Sequence, residues 1–371
     1  MTESLKWCKN CVLPNTRPNL KLNKDGICFA CLNHKSKKKI NWEKRRKELK
    51  KLISKIKKQN NSYDCIIPVS GGKDSTWQTK KCLDLGLKPL AVTWKTPFRS
   101  KIGSENLKNL ISLGVDHVDC TINPKLEKKI LLNALKDKGS TAILMHLAIF
   151  TIPKLFAVKF RIPLIVWGEN SAYEYANEKN NNENSELNNK WLKKYGVFDN
   201  FKTSKYLSKN QKKLISQFIN LSNYEKKDSK KIKSIFLGHY YNWDPVKINN
   251  FSKRIGFKNI LKPKIGLYNF ADIDDGCLIQ IHHWLKWYKF GFTRLFDNLS
   301  LEIRNKRITR KKALDILRLQ KFEPPRKEIK IFCDYCDIST QQFFKIVEKF
   351  RNKIIWKKNN KGKFFIKNFI F

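Results

Sequence analysis

Asp64-Cys65-Ile66-Ile67-Pro68-Val69-Ser70-Gly71-Gly72-Lys73-Asp74-Ser75 is the stretch that decides the fold. A short apolar run ends at Ser70-Gly71-Gly72, and residues 75–85 carry helical spacing. A buried strand, a glycine turn and a helix in that order make an anion site. Two glycines let the backbone come close to an anion and accept φ > 0. The new helix points bare N–H groups and its positive end at the same place. Ser70 and Ser75 add hydroxyl donors, Lys73 a positive charge, and Asp74 a ligand for a divalent cation. The spacing is not that of a Walker A loop, because Asp74 follows Lys73 and four residues do not separate the glycines.

Outward from this loop the pattern repeats. Apolar runs at 90–94, 117–122, 163–167 and 234–238 predict further strands. Residues 104–113, 124–137 and 141–160 predict helices between them, with Gly86 and Gly114 at the positions of helix C-caps. Alternating strands and helices imply βαβ units and a parallel α/β sheet. Residues 177–200, rich in Asn, Glu and Lys, predict a surface insertion able to act as a lid. Beyond about residue 250 the pattern is mainly helical, at 275–290, 309–319 and 339–350, while 292–301 is open between loop and helix. The expected organisation is a knuckle over 1–40, an amphipathic linker helix over 41–62, a catalytic α/β domain over 63–248 and a mainly helical region over 249–371.

Cys8-x2-Cys11, sixteen residues, then Cys28-x2-Cys31 is zinc spacing. Four thiolates close a tetrahedron, which favours structural zinc; an iron–sulfur cluster is the alternative. His34 is expected at the surface. Cys65, Cys82, Cys120 and Cys277 stand singly and suit core packing, and Cys333-x2-Cys336 has no second pair beside it.

The formal net charge is +45, from 77 Lys+Arg against 32 Asp+Glu. A polyanion partner is one reading. Lysines spread through every segment, without an aromatic-interleaved stripe, favour solvated faces instead, so no stable nucleic acid is expected. No apolar run reaches the length of a membrane span. The opening residues Met1 to Lys6 lack an apolar stretch, so a cytoplasmic location is expected.

Ser70-Gly71-Gly72-Lys73-Asp74-Ser75 resembles the SGGxDS signature of PP-loop ATP pyrophosphatases, which have an adenine-nucleotide alpha-hydrolase-like fold. The resemblance implies that the loop grips the β- and γ-phosphates of ATP, leaving the α-phosphate open to attack. It implies adenine at Val92, Thr93 and Trp94, and a contribution from Gly168-Glu169-Asn170 beside the same crevice. The whole chain further resembles the N-acetyl sugar amidotransferases of bacterial surface-polysaccharide and flagellar-glycan pathways. The residues that carry this are Trp7-Cys8 through Pro14, Cys28 through Cys31, Asn41-Trp42, the loop itself, and Gly168-Glu169-Asn170 with Glu174-Tyr175. They continue at Leu237-Gly238 through Trp243-Asp244, Tyr288-Lys289-Phe290-Gly291-Phe292 with Arg294, and Ile303-Arg304 with Arg307-Ile308-Thr309-Arg310.

The resemblance implies conversion of an acetamido group to an acetamidino group through an adenylylated imidate. Lys73, Asp74 and Glu169 are the expected catalytic residues, with Mg2+ on the phosphates. Asn170, Tyr173 and Glu174 are candidates for sugar contacts. Ammonia is expected from a separate glutaminase subunit working with a cyclase-barrel-like subunit, since no cysteine here sits in a glutaminase context. The rival reading is tRNA thiolation, which typically needs paired cysteines near the loop; here 76–332 holds only single ones.

Overall fold

The structure, a computed structural model, describes residues 4–59, 62–169, 174, 186–196, 198, 200–221 and 227–371. Five strands form one sheet: β1 (Cys65–Pro68), β2 (Pro89–Trp94), β3 (Asp116–Cys120), β4 (Leu164–Trp167) and β5 (Lys233–Phe236). Their order is β3-β2-β1-β4-β5, and every pairing is parallel. Cys65 to Val69 and Leu164 to Trp167 are almost wholly buried, so these strands read as apolar runs rather than as alternating ones. The chain builds outward from β1 through β2 to β3, then returns to the other side of β1 for β4. Strand order therefore reverses between β1 and β4, where ligands bind in open α/β sheets.

The helices match the sequence pattern with small shifts. Those expected at 75–85, 104–113, 124–137 and 141–160 run Lys73–Asp84, Lys101–Ile111, Pro124–Lys138 and Ile143–Lys159. Gly86 and Gly114 follow the helix ends in left-handed conformation, φ 71° and 99°. Ile143–Lys159 is apolar on nearly all sides because it lies between the sheet and the helix Lys209–Ile219. Pro153 sits inside it.

Part of the expected surface insertion lies outside the described residues. Its described remainder is not all surface: the helix Asn189–Tyr195 buries Trp191, Leu192 and Tyr195 in the main core. The open stretch 292–301 divides: Phe292 and Thr293 precede a helix that runs Arg294–Arg304. The C-terminal region also contains a helix over Arg326–Cys336 and an antiparallel hairpin, Trp356–Lys358 with Phe364–Ile366, that helical periodicity alone did not predict.

The first forty residues pack on the C-terminal helices. Cys8, Cys11, Val12, Leu13 and Leu20 share one apolar core with Phe292, Leu295, Phe296 and Leu299. Arg304 and Arg310 fasten this joint, and Arg307 braces it from the side. Arg304 donates to the carbonyls of Ala30 (3.3 Å) and Glu174 (2.9 Å), and Arg310 to that of Cys11 (3.1 Å). Arg307 bridges Asp244 and Glu302 at 2.9 and 2.6 Å.

Candidate active site

The loop after β1 stands at the reversal point of the sheet. Gly71 has φ +85°, and a Cβ there would lie 2.7 Å from the Leu107 amide nitrogen, so only glycine fits. The helix begins at Lys73, with Gly72 as its N-cap, which puts Lys73 and Asp74 in the first turn. The Ser70 hydroxyl accepts from the Gly72 amide at 3.3 Å, and the Ser75 hydroxyl donates to the Gly72 carbonyl at 3.0 Å. The backbone of Lys73 is pinned by the Ser252 hydroxyl, 2.8 Å from its carbonyl.

A cavity of about 420 Å³ opens over this loop. Ser70, Gly72, Lys73, Asp74 and Ser75 form its floor, Val92 and Trp94 one wall, and Gly168 and Glu169 another. Most of the expected site residues are thus brought together. The side chain of Thr93 is not, because strand alternation turns it to the opposite face. There its hydroxyl donates to the Val69 carbonyl at 2.7 Å and meets His117 Nε2 at 2.9 Å. Gly168 sits in a tight place: a Cβ would come 3.0 Å from Gln78 Oε1 and 3.1 Å from the Trp243 ring.

Glu174 does not line the cavity either. It is buried, and its carboxylate is held by the Lys37 ammonium, so it ties the knuckle to the segment after β4. Asn170 and Tyr173 lie outside the described residues.

The far wall of the cavity comes from Asp272-Ile273-Asp274-Asp275-Gly276, of which 272–274 had no expected element and 275–276 were expected to open a helix that starts only at Leu278. It crosses the loop as a strap. The Asp274 carbonyl accepts from the Ser100 amide at 2.9 Å, and the Gly276 amide donates to the Phe98 carbonyl at 2.8 Å. Gly103 makes the close approach possible, since a Cβ there would lie 2.7 Å from Asp274 Cα. Asp275 is structural. Its carboxylate accepts from the Thr96 hydroxyl at 2.6 Å and from the amides of Cys277 and Ile279, at the start of the helix Leu278–Phe290. Asp272 has φ 54° and pairs with Arg294 at 3.0 Å. The signal was available in the sequence: three carboxylates within four residues are conspicuous in a chain of net charge +45.

The electrostatics suit a nucleotide with its metal. Burial raises Asp274 to about 6, with Asp275 and Asp272 adding to the effect. Enclosure by protein raises Glu169 to about 7, although its side chain faces the open space of the cavity, and the charges of Glu174 and Asp74 push the same way. Lys73 holds one oxygen of Asp74 at 2.5 Å, whereas Asp74 Oδ1 is enclosed without a hydrogen-bond partner among the described residues. Five carboxylates and two cations among the described lining residues leave room for a divalent cation, and an orphaned carboxylate oxygen is a fitting ligand.

At the knuckle, the Sγ atoms of Cys8, Cys11, Cys28 and Cys31 all lie within 4.8 Å of one another, and all four residues are buried. Cys11 and Cys28 Sγ are 3.6 Å apart. Tetrahedral sulfurs at a zinc–sulfur distance of about 2.3 Å sit about 3.8 Å apart, so the cluster fits zinc. The Cys8 sulfur accepts from the Asn10, Cys11 and Cys28 amides at 3.2–3.4 Å, and contacts with the other three thiols lower it from its ordinary range. His34 is not the surface residue expected. It is half-buried, and burial lowers it to about 4. Cys333 and Cys336 pack beside Cys277 in the core, all three raised by burial, and no cysteine lines the cavity over the loop among the described residues.

Residues 257–369 match the model of the LPS biosynthesis protein WbpG-like C-terminal domain. The strap, Arg294 and the helices that cover the knuckle all fall within the matched region, so the matched region completes the cavity over the Ser70–Ser75 loop. An uncharacterized protein of Methanocaldococcus jannaschii is 33% identical over 106 residues, which is 28% of this chain. The match spans 38% of that relative's length. Two solved structures are similar at low level. The predicted subunit of a tRNA methyltransferase from Methanocaldococcus jannaschii is 15% identical, covers 52% of this chain and 76% of its own, and has a TM-score of 0.28. The NMN synthetase of Francisella tularensis is 14% identical, covers 61% and 99%, and has a TM-score of 0.26. Among the described residues, no helix is long and apolar enough to cross a membrane.

Proposed function

We propose that this WbpG-like PP-loop protein is an ATP-dependent amidotransferase that converts the acetamido group of an N-acetyl sugar to an acetamidino group in surface-glycan synthesis. The observation that carries the proposal is the cavity shared by the PP-loop and the WbpG-like strap: an anion cradle and a glycan-pathway domain form one site.

In this reading the loop from Ser70 to Ser75 binds the β- and γ-phosphates, and the adenine lies against Val92 and Trp94. Asp74 and Asp274 would hold Mg2+, which would supply charge neutralisation on the phosphates. The acetamido oxygen attacks the α-phosphorus and the bond to pyrophosphate breaks. Ammonia then adds to the imidate carbon, and AMP leaves with the former amide oxygen. Arg294 and Lys73 offset charge that grows on the phosphates. Glu169, raised to about 7, is placed to accept a proton from the adding nitrogen. Water must be kept out, because it would return the amide.

Ammonia would come from a glutaminase subunit associated with a cyclase-barrel-like subunit, and the setting would be the cytoplasm. The zinc would be structural, since four thiolates leave no open position. The absence of cysteine from the cavity lining, among the described residues, weighs against tRNA thiolation.

The deciding experiment measures pyrophosphate release from ATP with ammonium chloride, across a panel of nucleotide-linked N-acetyl sugars and bulk tRNA. Release that requires a sugar, with AMP formed and the sugar gaining an amidine by mass spectrometry, supports the proposal. Release that requires tRNA, or formation of ADP, overturns it.

A further inference from the structure

The cavity over the loop opens into a second chamber of about 860 Å³. The two share Phe150, Glu169, Trp191, Asp272, Ile279 and Arg294, so a molecule in the second chamber meets the nucleotide site at that wall. Among the described residues, seven lysines and arginines line the chamber against three carboxylates. Two of those carboxylates are already paired: Asp297 with Arg17 at 2.8 Å, and Asp272 with Arg294 at 3.0 Å. Lys289 donates to the Lys138 carbonyl at 2.9 Å.

Lys286 is different. It is half-buried on the helix Leu278–Phe290, one turn beyond His282 and His283, with its ammonium 5.9 Å from the Phe292 ring centroid. Among the described residues no carboxylate or carbonyl accepts a hydrogen bond from it. Burial lowers it to about 8; Asp297 opposes that shift, while Arg17 and Arg294 deepen it. His282 and His283, which also line the chamber, are held neutral by burial, so they offer hydrogen bonds without adding charge. A cation with no hydrogen-bond acceptor among the described residues, in a chamber whose described lining carries more positive than negative groups, calls for an anion from outside.

We propose that the second chamber is the acceptor pocket, and that Lys286 binds an anionic group of the acceptor, a phosphate or a carboxylate, with the acetamido end at the Glu169–Asp272–Arg294 wall. The proposal rests on the amidotransferase reading for the identity of the acceptor, but not for the anion site. The full-length protein, with a non-hydrolysable ATP analogue filling the loop site, is tested by equilibrium dialysis. The probes are UDP-N-acetylglucosamine, which carries a diphosphate, N-acetylneuraminic acid, which carries only a carboxylate, and uncharged N-acetylglucosamine.

Lys286→Met should weaken binding of whichever charged probe binds by at least about tenfold, Lys286→Arg should retain most of it, and ATP affinity should stay unchanged in both. In the wild type, the same probe should shield Lys286 from acetic anhydride, read by peptide mass spectrometry, which needs no folded variant. Equal affinity in wild type and Lys286→Met, absence of shielding, or binding by neither charged probe overturns the pocket. The two proposals fail separately. Sugar-dependent pyrophosphate release with unchanged acceptor KM in Lys286→Met keeps the reaction and removes the pocket. Shielding of Lys286 without any sugar-dependent release keeps the anion site and removes the reaction.

Discussion

The guanidinium of Arg294 stands 3.0 Å from Asp272, and this pair forms part of the wall between the two chambers. Asp272 holds φ 54°, a conformation that costs an L-residue about 1–2 kcal/mol. Strain kept at such a place points to a functional carboxylate. Asp272→Gly should therefore leave the melting temperature equal or higher while pyrophosphate release falls by roughly 10²-fold, on the scale of lost transition-state electrostatics. Thermal melts beside the pyrophosphate assay check it; unchanged activity would make Asp272 purely structural.

Asp74 is partly exposed at the start of its helix, and one of its oxygens has no hydrogen-bond partner among the described residues. Asp74→Ala should abolish pyrophosphate release and leave the circular dichroism spectrum and melting curve nearly unchanged. Full activity in that variant removes Asp74 from the mechanism.

Zinc should be present at about one ion per chain, by the four-thiolate rule. Because the knuckle core includes Leu295 and Phe296, neighbours of Arg294, removing the metal should lower stability and activity together. Metal analysis and melts with and without a strong chelator test this. Iron with visible absorbance would replace zinc by a cluster.

Glu127 gives a pH prediction. It is buried, accepts from Trp94 Nε1 at 3.2 Å and from the Tyr335 hydroxyl at 3.3 Å, and burial raises it from 4.5 to about 7. Between those values the folded chain binds the extra proton, so stability falls as pH rises from about 4.5 through about 7. Glu127→Gln should remove that slope and stabilise the protein at pH 8 by on the order of 2 kcal/mol. Denaturant melts at pH 5 and pH 8 suffice; an undiminished pH slope in the variant would show that other groups carry it.

The strands, the loop and the metal knuckle were legible because each depends on local pattern: an apolar run, two glycines before a helix, two C-x2-C pairs. The side of a strand on which a residue acts was less legible. Val92 and Trp94 reach the cavity while Thr93 does not, and only the register of β2 against its neighbours decides that. Glu174 looked available for substrate until Lys37, 137 residues earlier, was seen to hold it. The strap was invisible to periodicity because it is neither helix nor strand. Its role comes from crossing Gly103 and the loop, contacts made more than 150 residues apart in the chain.

The shared core of residues 8–31 and 292–317 has a consequence for synthesis. During vectorial translation, the knuckle leaves the ribosome long before its covering helices exist. Zinc can close the four thiolates early, but Val12, Leu13 and Leu20 remain bare until Phe292, Phe296 and Leu299 emerge. This is a long-range contact of the kind that slows folding and exposes sticky surface. Expression at reduced temperature, or with added chaperone capacity, should therefore raise the yield of correctly assembled protein.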